Sequence, residues 1–181
     1  MRLHGKNLKA ATPRHDFFYR SESRLALTSV QIILERENKM LNGIPSILSP
    51  ELLKILMEMG HGDELVIADG NFPAASIAQR LVRSDGNMAP ELLEAVLKFF
   101  PLDPYVDHPV ALMQVVPGDP YKPTIWETYK SILQKSDNKN KSIENIERFS
   151  FYERAKKAFA VVATSETSLY ANIIIKKGVV V

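Results

Sequence analysis

The chain contains no cysteine, and none of its apolar runs approaches the length of a membrane-spanning helix. Without cysteine it can have no disulfide framework, no thiol nucleophile and no thiolate metal site. No segment near the N-terminus has the apolar core of a secretory signal, so we expect none. These absences exclude a disulfide-stapled scaffold and argue against a membrane partner, and they lead us to expect a cytoplasmic location.

Several familiar motifs are missing as well: the phosphate-binding P-loop, the glycine-rich dinucleotide fingerprint and the paired-histidine zinc helix. Histidine is scarce, with four residues among 181. A metal site could be assembled from His61, Asp63, Asp69 and His108, but their spacing matches no recognisable ligand pattern. We therefore expect neither a metal nor a nucleotide cofactor.

Charge is divided unevenly along the chain. Residues 1–39 carry eight Lys/Arg and four Asp/Glu, a net charge of +4, whereas residues 40–181 carry 15 and 17, a net charge of −2. The larger part is slightly acidic and has no basic stripe, so we expect no nucleic-acid partner.

The first 39 residues also differ from the rest in pattern. A transit peptide would be basic and poor in acids, and the four acidic residues of this segment count against one. The simpler interpretation is an upstream extension, disordered or not part of the native protein, with Met40 as the working start. We expect one domain over residues 40–181.

From Met40 onward, helical and strand patterns alternate. Ser49 and Pro50 have the order of an N-cap and a first helical position, and Gly60 ends that helix. The alternation predicts an α/β fold, a three-layer α/β/α sandwich with a mostly parallel central sheet. The other predicted elements are strands at 65–68, 110–116, 158–164 and 172–175, and helices at 89–97, 124–134 and 149–157.

His61 and Asp69 bracket the first predicted strand. Imidazole has an ordinary pKa of about 6.5 and can give or take a proton near neutrality, which makes the glycine-flanked His61 the leading acid–base candidate. Asp69 could orient an imidazole or accept from a sugar hydroxyl, or it could only cap the turn before Pro73. Because His61 precedes the strand that Asp69 follows, it would have to come from a neighbouring edge or another subunit.

Two further polar clusters contain candidate ligand-binding residues. In the first, Arg148 could hold a developing negative oxygen, and Tyr152 or Glu153 could bind hydroxyls; the alternative is an ordinary helix surface with Arg154 in solvent. The second, residues 170–172, precedes the last strand and offers donors and acceptors that suit a sugar or a simple turn.

Several short segments occur together in one order: Ser49-Pro-Glu-Leu-Leu53, Met59-Gly-His-Gly-Asp-Glu64, Ala68-Asp69, Asn71-Phe-Pro73, Ser84-Asp-Gly86, Arg148-Phe-Ser-Phe-Tyr-Glu-Arg-Ala155, Lys157-Ala-Phe-Ala160, Tyr170-Ala-Asn172 and Lys177-Gly178. In this combination the sequence resembles the fucose mutarotase and ribose pyranase (RbsD/FucU) family, and within it the animal-type L-fucose mutarotases. The resemblance extends from about residue 41 to residue 181.

The resemblance implies interconversion of the α and β anomers of free L-fucose, without a cofactor, in a ring-shaped homo-oligomer with active sites at subunit contacts. It implies that His61 is the proton donor. The substrate-binding positions that it implies are Asp69, Arg148, Tyr170, Ala171 and Asn172, with Ala171 contributing its backbone. For catalysis we assign His61 as the acid at the ring oxygen, with Asp69 orienting it or holding a hydroxyl, and with Tyr152, Tyr170 or a water assisting at the anomeric hydroxyl.

Two departures from the family pattern accompany this assignment. Asn71 stands where the bacterial fucose members have histidine, and Ala171 replaces the glycine of many fucose members and is familiar from the ribose branch. The alternatives are a D-ribose pyranase, a non-catalytic sugar-binding module and, last, a metal-dependent hydrolase built on His61 and nearby acids.

Overall fold

The computed structural model describes residues 41–180, and the expected extension at residues 1–39 lies outside that range. No helix within it has both the length and the apolar character needed to cross a membrane. The strands are β1 (Glu64–Ala68), β2 (Leu81–Ser84), β3 (Val110–Met113), β4 (Ile143–Ile146), β5 (Ala160–Thr164) and β6 (Ile173–Lys176). The helices are α1 (Pro50–Glu58), α2 (Ala74–Ile77), α3 (Ala89–Leu97), α4 (Ile125–Lys135) and α5 (Arg148–Lys157).

Two of the helices begin at side-chain caps. At α1 the Ser49 hydroxyl accepts a hydrogen bond from the Leu52 amide at 3.1 Å, as the N-cap pattern predicts. At α5 the Glu147 carboxylate accepts from two first-turn amides, the nearer, that of Phe149, at 2.7 Å. This second cap fixes the helix start and therefore the position of Arg148, the first residue of α5.

One strand of the sheet runs against the other five. The strand order is β2-β5-β1-β6-β3-β4, and β6 is antiparallel to both of its neighbours while all other pairs are parallel. Residues 165–172 join β5 to β6, and this connection is too short for the helical crossover that a parallel strand would need. β6 therefore turns back into the sheet, and the expectation of a mostly parallel sheet is confirmed.

Helices cover both faces of the sheet. On one face α3 packs against α4 and β1, and on the other α2 and α5 pack against each other, with α2 on β5 and α5 on β3. In the second layer Val66 and Ala68 of β1 meet Phe151 and Ala155 of α5, all of them buried. Alternate β1 residues point to the opposite face, so β1 is buried on both sides. The three-layer α/β/α arrangement is confirmed.

Three short elements were not predicted: α2, β2 and β4. Both strands are sheet edges of four residues, and each carries an exposed polar residue, Arg83 in β2 and Asn145 in β4, which breaks the apolar run. Helix α2 is a single turn of four residues. The predicted strand at 110–116 ends earlier, at Met113, because the chain leaves the sheet before the Pro117 turn.

Four charged side chains tie α5 to the sheet. Arg154 donates to both carboxylate oxygens of Glu64, at 3.0 and 2.9 Å, and to Glu144 at 2.6 Å, while Lys176 lies 3.0 Å from Glu64. The Arg154 side chain is only 23% exposed, so the interpretation of Arg154 as part of a solvated face is wrong. Burial alone raises the pKa of Glu64, but the hydrogen bonds and charges of Arg154 and Lys176 outweigh burial and lower it.

We expect Arg154→Met to lower the free energy of unfolding by about 2–4 kcal/mol, because it removes the main partner of a mostly buried carboxylate. The pKa of Glu64 is lowered in the folded protein, so its stabilisation is present above the ordinary value of 4.5 and is lost as pH falls through the folded pKa. The difference between wild type and variant should therefore narrow below pH 4.5.

Urea unfolding at pH 7 and pH 4 measures this effect. The matched control is Arg83→Met, which breaks an exposed ion pair with Asp85 and should change stability little. Equal losses in the two variants would contradict the importance of the buried cluster.

Candidate active site

Polar side chains converge where β1 ends and β6 begins. Because β6 is antiparallel to β1, Asp69 at the end of β1 lies beside Asn172 at the start of β6. The Asp69 amide donates to Asn172 Oδ1 at 2.9 Å, and Asn172 Nδ2 donates to Asp69 Oδ2 at 2.7 Å. Both residues are buried. The pair lies at the carboxyl edge of the parallel strands, where the sequence predicts a site.

The Asp69 carboxylate is held from both sides. Its Oδ1 accepts the Asn71 amide at 3.0 Å while Oδ2 accepts Asn172. Burial raises the pKa of Asp69 above the ordinary 3.8, although the hydrogen bonds that it accepts act in the opposite direction. A partly desolvated carboxylate in a fixed orientation is suited to accept a hydrogen bond from a ligand hydroxyl.

Helix α4 fixes the backbone just before Asn172. Tyr170 has a φ of 57°, a left-handed conformation that is uncommon for a residue with a side chain. Trp126 Nε1 donates to the Tyr170 carbonyl at 2.9 Å, and the Tyr129 hydroxyl donates to the Ala171 carbonyl at 2.7 Å. These two donors hold the strained backbone segment in place. They therefore set the directions in which the side chains of Tyr170 and Asn172 point.

The Tyr170 side chain is bound to the turn that follows β3. Its hydroxyl donates to Asp119 Oδ2 at 2.6 Å, and its ring lies 5.9 Å from that of Tyr121. This hydrogen bond raises the pKa of Tyr170 and lowers that of Asp119. Tyr170 is therefore a neutral donor near neutral pH, and its hydroxyl already has an acceptor.

Arg148 carries a donor without a partner. Its Nε is buried and has no hydrogen-bond acceptor among the residues that the structure describes, and its guanidinium lies 4.9 Å from the Phe149 ring. The charge of Arg148 also reaches Tyr170 and opposes the rise of the Tyr170 pKa. Buried donors are rarely left unpaired, so Arg148 is well suited to bind a ligand oxygen at this edge.

Tyr152 belongs to an aromatic wall beside Asp69. Its ring packs edge-to-face on Phe72 at 5.5 Å and on Phe149 at 6.3 Å. Phe72 in turn donates its amide to the Asp69 carbonyl at 3.2 Å. The structure therefore gathers six residues at the carboxyl end of β1, and we call this set the polar edge: Asp69, Arg148, Tyr152, Tyr170, Ala171 and Asn172.

His61 lies at the opposite end of β1. It precedes β1, whereas Asp69 follows it, and a five-residue strand separates them by about 16 Å. The His61 side chain is 48% exposed, and its ring packs edge-to-face on Tyr105 at 5.9 Å. Within one chain, the proposed acid and the other predicted site residues do not meet.

Asp103 is the partner of His61 that the sequence did not reveal. His61 Nε2 lies 3.3 Å from Asp103 Oδ2, and the Asp103 side chain is only 4% exposed. Asp103 Oδ1 accepts the Tyr105 amide at 3.0 Å, which fixes the carboxylate. The only local signal is an acid in a proline-rich loop before β3, and no spacing rule connects it with His61.

The residues considered for a metal site lie apart. His61 and Asp69 are at opposite ends of β1, and His108 is exposed in the loop before β3, as predicted. Between residues 41 and 180, no group of three or more His, Asp or Glu side chains is placed to share a metal ion. The geometry gives the hydrolase alternative no support.

Comparisons with known proteins give matches over about three quarters of the chain. A model of the RbsD / FucU transport protein family matches residues 42–180. Fucose mutarotase of Mus musculus is 57% identical over 144 residues, 76% of this chain and 94% of the mouse protein. The crystal structure of the fucose mutarotase in complex with L-fucose from Streptococcus pneumoniae has a TM-score of 0.75 at 56% identity, covering 78% of this chain and 100% of that chain. Bacillus subtilis RbsD complexed with D-ribose, at 20% identity and a TM-score of 0.60 over 78% of this chain and 100% of that one, shares the fold.

We expect Asn172→Asp to destabilise the protein by about 3 kcal/mol at pH 7, because it places a second carboxylate against buried Asp69. Two adjacent carboxylates raise one pKa, so the folded state binds more protons than the unfolded state and the loss shrinks as pH falls toward 4. Thermal unfolding of wild type and variant at pH 7 and pH 5 measures this loss of stability and its dependence on pH. Asn145→Asp, at the exposed position of edge strand β4, is the control, and a similar loss there would refute the explanation.

Proposed function

This chain belongs to the RbsD/FucU family, and we propose that it is an isomerase that interconverts the α and β anomers of L-fucose. The observation that carries the proposal is the high identity to fucose mutarotases, one of them crystallised with L-fucose, over the part of the chain that builds the polar edge. The predicted cytoplasmic location remains a prediction.

The polar edge has the groups that a sugar requires. Asp69 presents a fixed acceptor for hydroxyl groups, and Arg148 offers an unpartnered donor for a ring or hydroxyl oxygen. Asn172 and the backbone at Ala171 complete the set, and the rings of Tyr152 and Phe72 supply an apolar side. We assign substrate binding to Asp69, Arg148, Tyr170, Ala171 and Asn172.

Anomer exchange requires two balanced proton transfers. The anomeric hydroxyl loses its proton, the ring oxygen gains one, and the bond between that oxygen and the anomeric carbon breaks to give the open aldehyde. Rotation of the aldehyde followed by the reverse transfers closes the other anomer. We assign the proton that reaches the ring oxygen to His61, and assistance at the anomeric hydroxyl to Tyr152, Tyr170 or a water, with water taking up the proton that this hydroxyl loses. Each acid–base group contributes about 10²–10⁴-fold.

Asp103 supports the acid. With its carboxylate next to one ring nitrogen of His61, it holds the imidazole in one orientation and leaves the other nitrogen for the sugar. Asp69 then acts on the sugar itself by holding a hydroxyl, because Asp103 already orients the imidazole.

A second copy of the chain would bring a His61 to the polar edge, from which His61 of the same chain is separated by β1. We propose a homo-oligomer in which His61 of one subunit reaches the Asp69 edge of its neighbour. His61 and Tyr105 support this arrangement, because Tyr105 is largely exposed, His61 is about half exposed, and their rings pack together on one surface. Symmetric repetition of that contact would complete every site with residues from two chains.

His61→Ala should abolish the acceleration of exchange between the two anomers, because the ring oxygen loses its proton source. Exchange NMR on equilibrated L-fucose, with wild-type and variant protein, measures the rate directly. We expect wild type to accelerate exchange and the variant to lose about 10²-fold or more of that acceleration.

The same measurement separates the alternatives. Binding of L-fucose without any acceleration by wild type would identify a sugar-binding module instead of an enzyme. Faster exchange between pyranose and furanose forms of D-ribose than between L-fucose anomers would favour a ribose pyranase.

Co-expression of His61→Ala with Asp69→Asn chains tests the shared site. If each site takes His61 from one subunit and Asp69 from another, random mixing leaves about one quarter of the sites intact, although each variant alone is inactive. If both residues came from one chain, every site would carry one lesion and the mixture would stay inactive. Native mass spectrometry must show that the oligomers are mixed.

A further inference from the structure

His61 and Asp103 lie on two loops that are far apart in sequence, residues 60–63 and 101–103. Within residues 41–180 no backbone hydrogen bond joins these loops directly. The two side chains are 3.3 Å apart, and His61 is about half exposed, so their attraction is too weak to fix the distance between the loops. Another part of the chain must do so.

The three residues at the end of β6, 176–178, lie between the two loops and bond to both. One side of this segment pairs with the His61 loop and the other with the Asp103 loop, and Leu102 and Lys177 form an antiparallel bridge. The four backbone hydrogen bonds run from the Gly62 amide to the Lys177 carbonyl (2.8 Å), from the Lys177 amide to Asp63 (2.8 Å), from the Asp103 amide to Lys176 (3.0 Å) and from the Gly178 amide to Pro101 (2.7 Å).

The Lys177 side chain adds a second attachment on the His61 side. Its Nζ donates to the carbonyls of Leu56, at 3.0 Å, and Met59. Carbonyls at a helix end lack intrahelical partners and carry partial negative charge, and α1 has no basic residue in its last turn. Lys177 therefore anchors the last turn of α1 and Met59, which lies two residues before His61.

Gly178 allows the close approach on the Asp103 side. A Cβ atom at this position would lie 2.7 Å from the Leu102 carbonyl oxygen and 3.0 Å from Asp103 Cα. Both neighbours are backbone atoms, so any larger residue would push the Asp103 loop away from β6.

We propose that Lys177 and Gly178 are positioning residues, which set the distance between His61 and Asp103 without touching the sugar. The inference rests on the proposed function, because it takes His61 as the proton donor. Neither residue faces the polar edge around Asp69, since both lie beyond the opposite end of β6.

The experiment measures L-fucose exchange and the His61 ring resonances in the full-length variants Lys177→Met and Gly178→Ala. We expect kcat to fall about 10- to 100-fold with little change in KM, since a shift of about 1 Å in an acid can cost that much. The His61 resonances should move toward those of Asp103→Asn, which lacks the carboxylate. The matched control is Lys176→Met, whose ammonium group binds Glu64 instead, and it should keep the wild-type kcat and resonances.

The two proposals fail in different ways. If wild type does not accelerate exchange, the proposed function is wrong, and the His61 resonances alone still show whether Lys177 and Gly178 hold the pair. If wild type is active and His61→Ala is not, but Lys177→Met and Gly178→Ala keep the wild-type kcat and resonances, the positioning inference is wrong. Should one variant fail to fold, the other decides, because the two substitutions remove different contacts.

Discussion

The reversed strand β6 lies between β1 and β3, and both of its ends support the proposed chemistry. At its start, the antiparallel pairing with β1 brings Asn172 against Asp69. At its end, the chain continues between the His61 and Asp103 loops and bonds to both. If β6 were parallel to β1, the start of β6 would lie beside the start of β1, and Asn172 would be far from Asp69. The same five residues of β1 that connect the two ends also keep the acid away from the binding edge of its own chain, so the proposed site needs two subunits.

Buried polar groups around the polar edge are paired almost without exception. Asp69 and Asn172 satisfy each other, and Tyr129 satisfies the Ala171 carbonyl. In the described part of the chain, Arg148 Nε is the one buried side-chain nitrogen or oxygen that has no partner. A buried donor left unpaired costs about 1–3 kcal/mol, which a ligand oxygen would recover. The polar edge thus holds Asp69 and Asn172 in fixed orientations and leaves the Arg148 Nε donor for a ligand oxygen.

The sequence predicts much of this arrangement, and the exceptions have physical causes. β1 and β5 are buried on both faces, so their apolar runs stand out, whereas β2 and β4 are short edge strands with exposed polar residues. Asp69 and Asn172 could be found because each adjoins a strand end. Asp103 could not, because its contact with His61 arises only when two distant loops pack on β6. The residues alone made His61 an acid–base candidate and Arg148 a candidate for binding an oxygen. The family resemblance supplied the sugar and the roles of both residues toward it, since no pattern in the residues alone specifies a sugar.

A crystal structure of the full-length protein with L-fucose tests the central claim most directly. The account predicts one sugar at each subunit contact, bound to Asp69, Arg148 and Asn172 of one subunit and within hydrogen-bond distance of His61 of another. It also predicts that Asp103 lies against that same imidazole. A sugar bound by these three residues, with every His61 ring of the assembly beyond the reach of a hydrogen bond or a bridging water, would contradict the account.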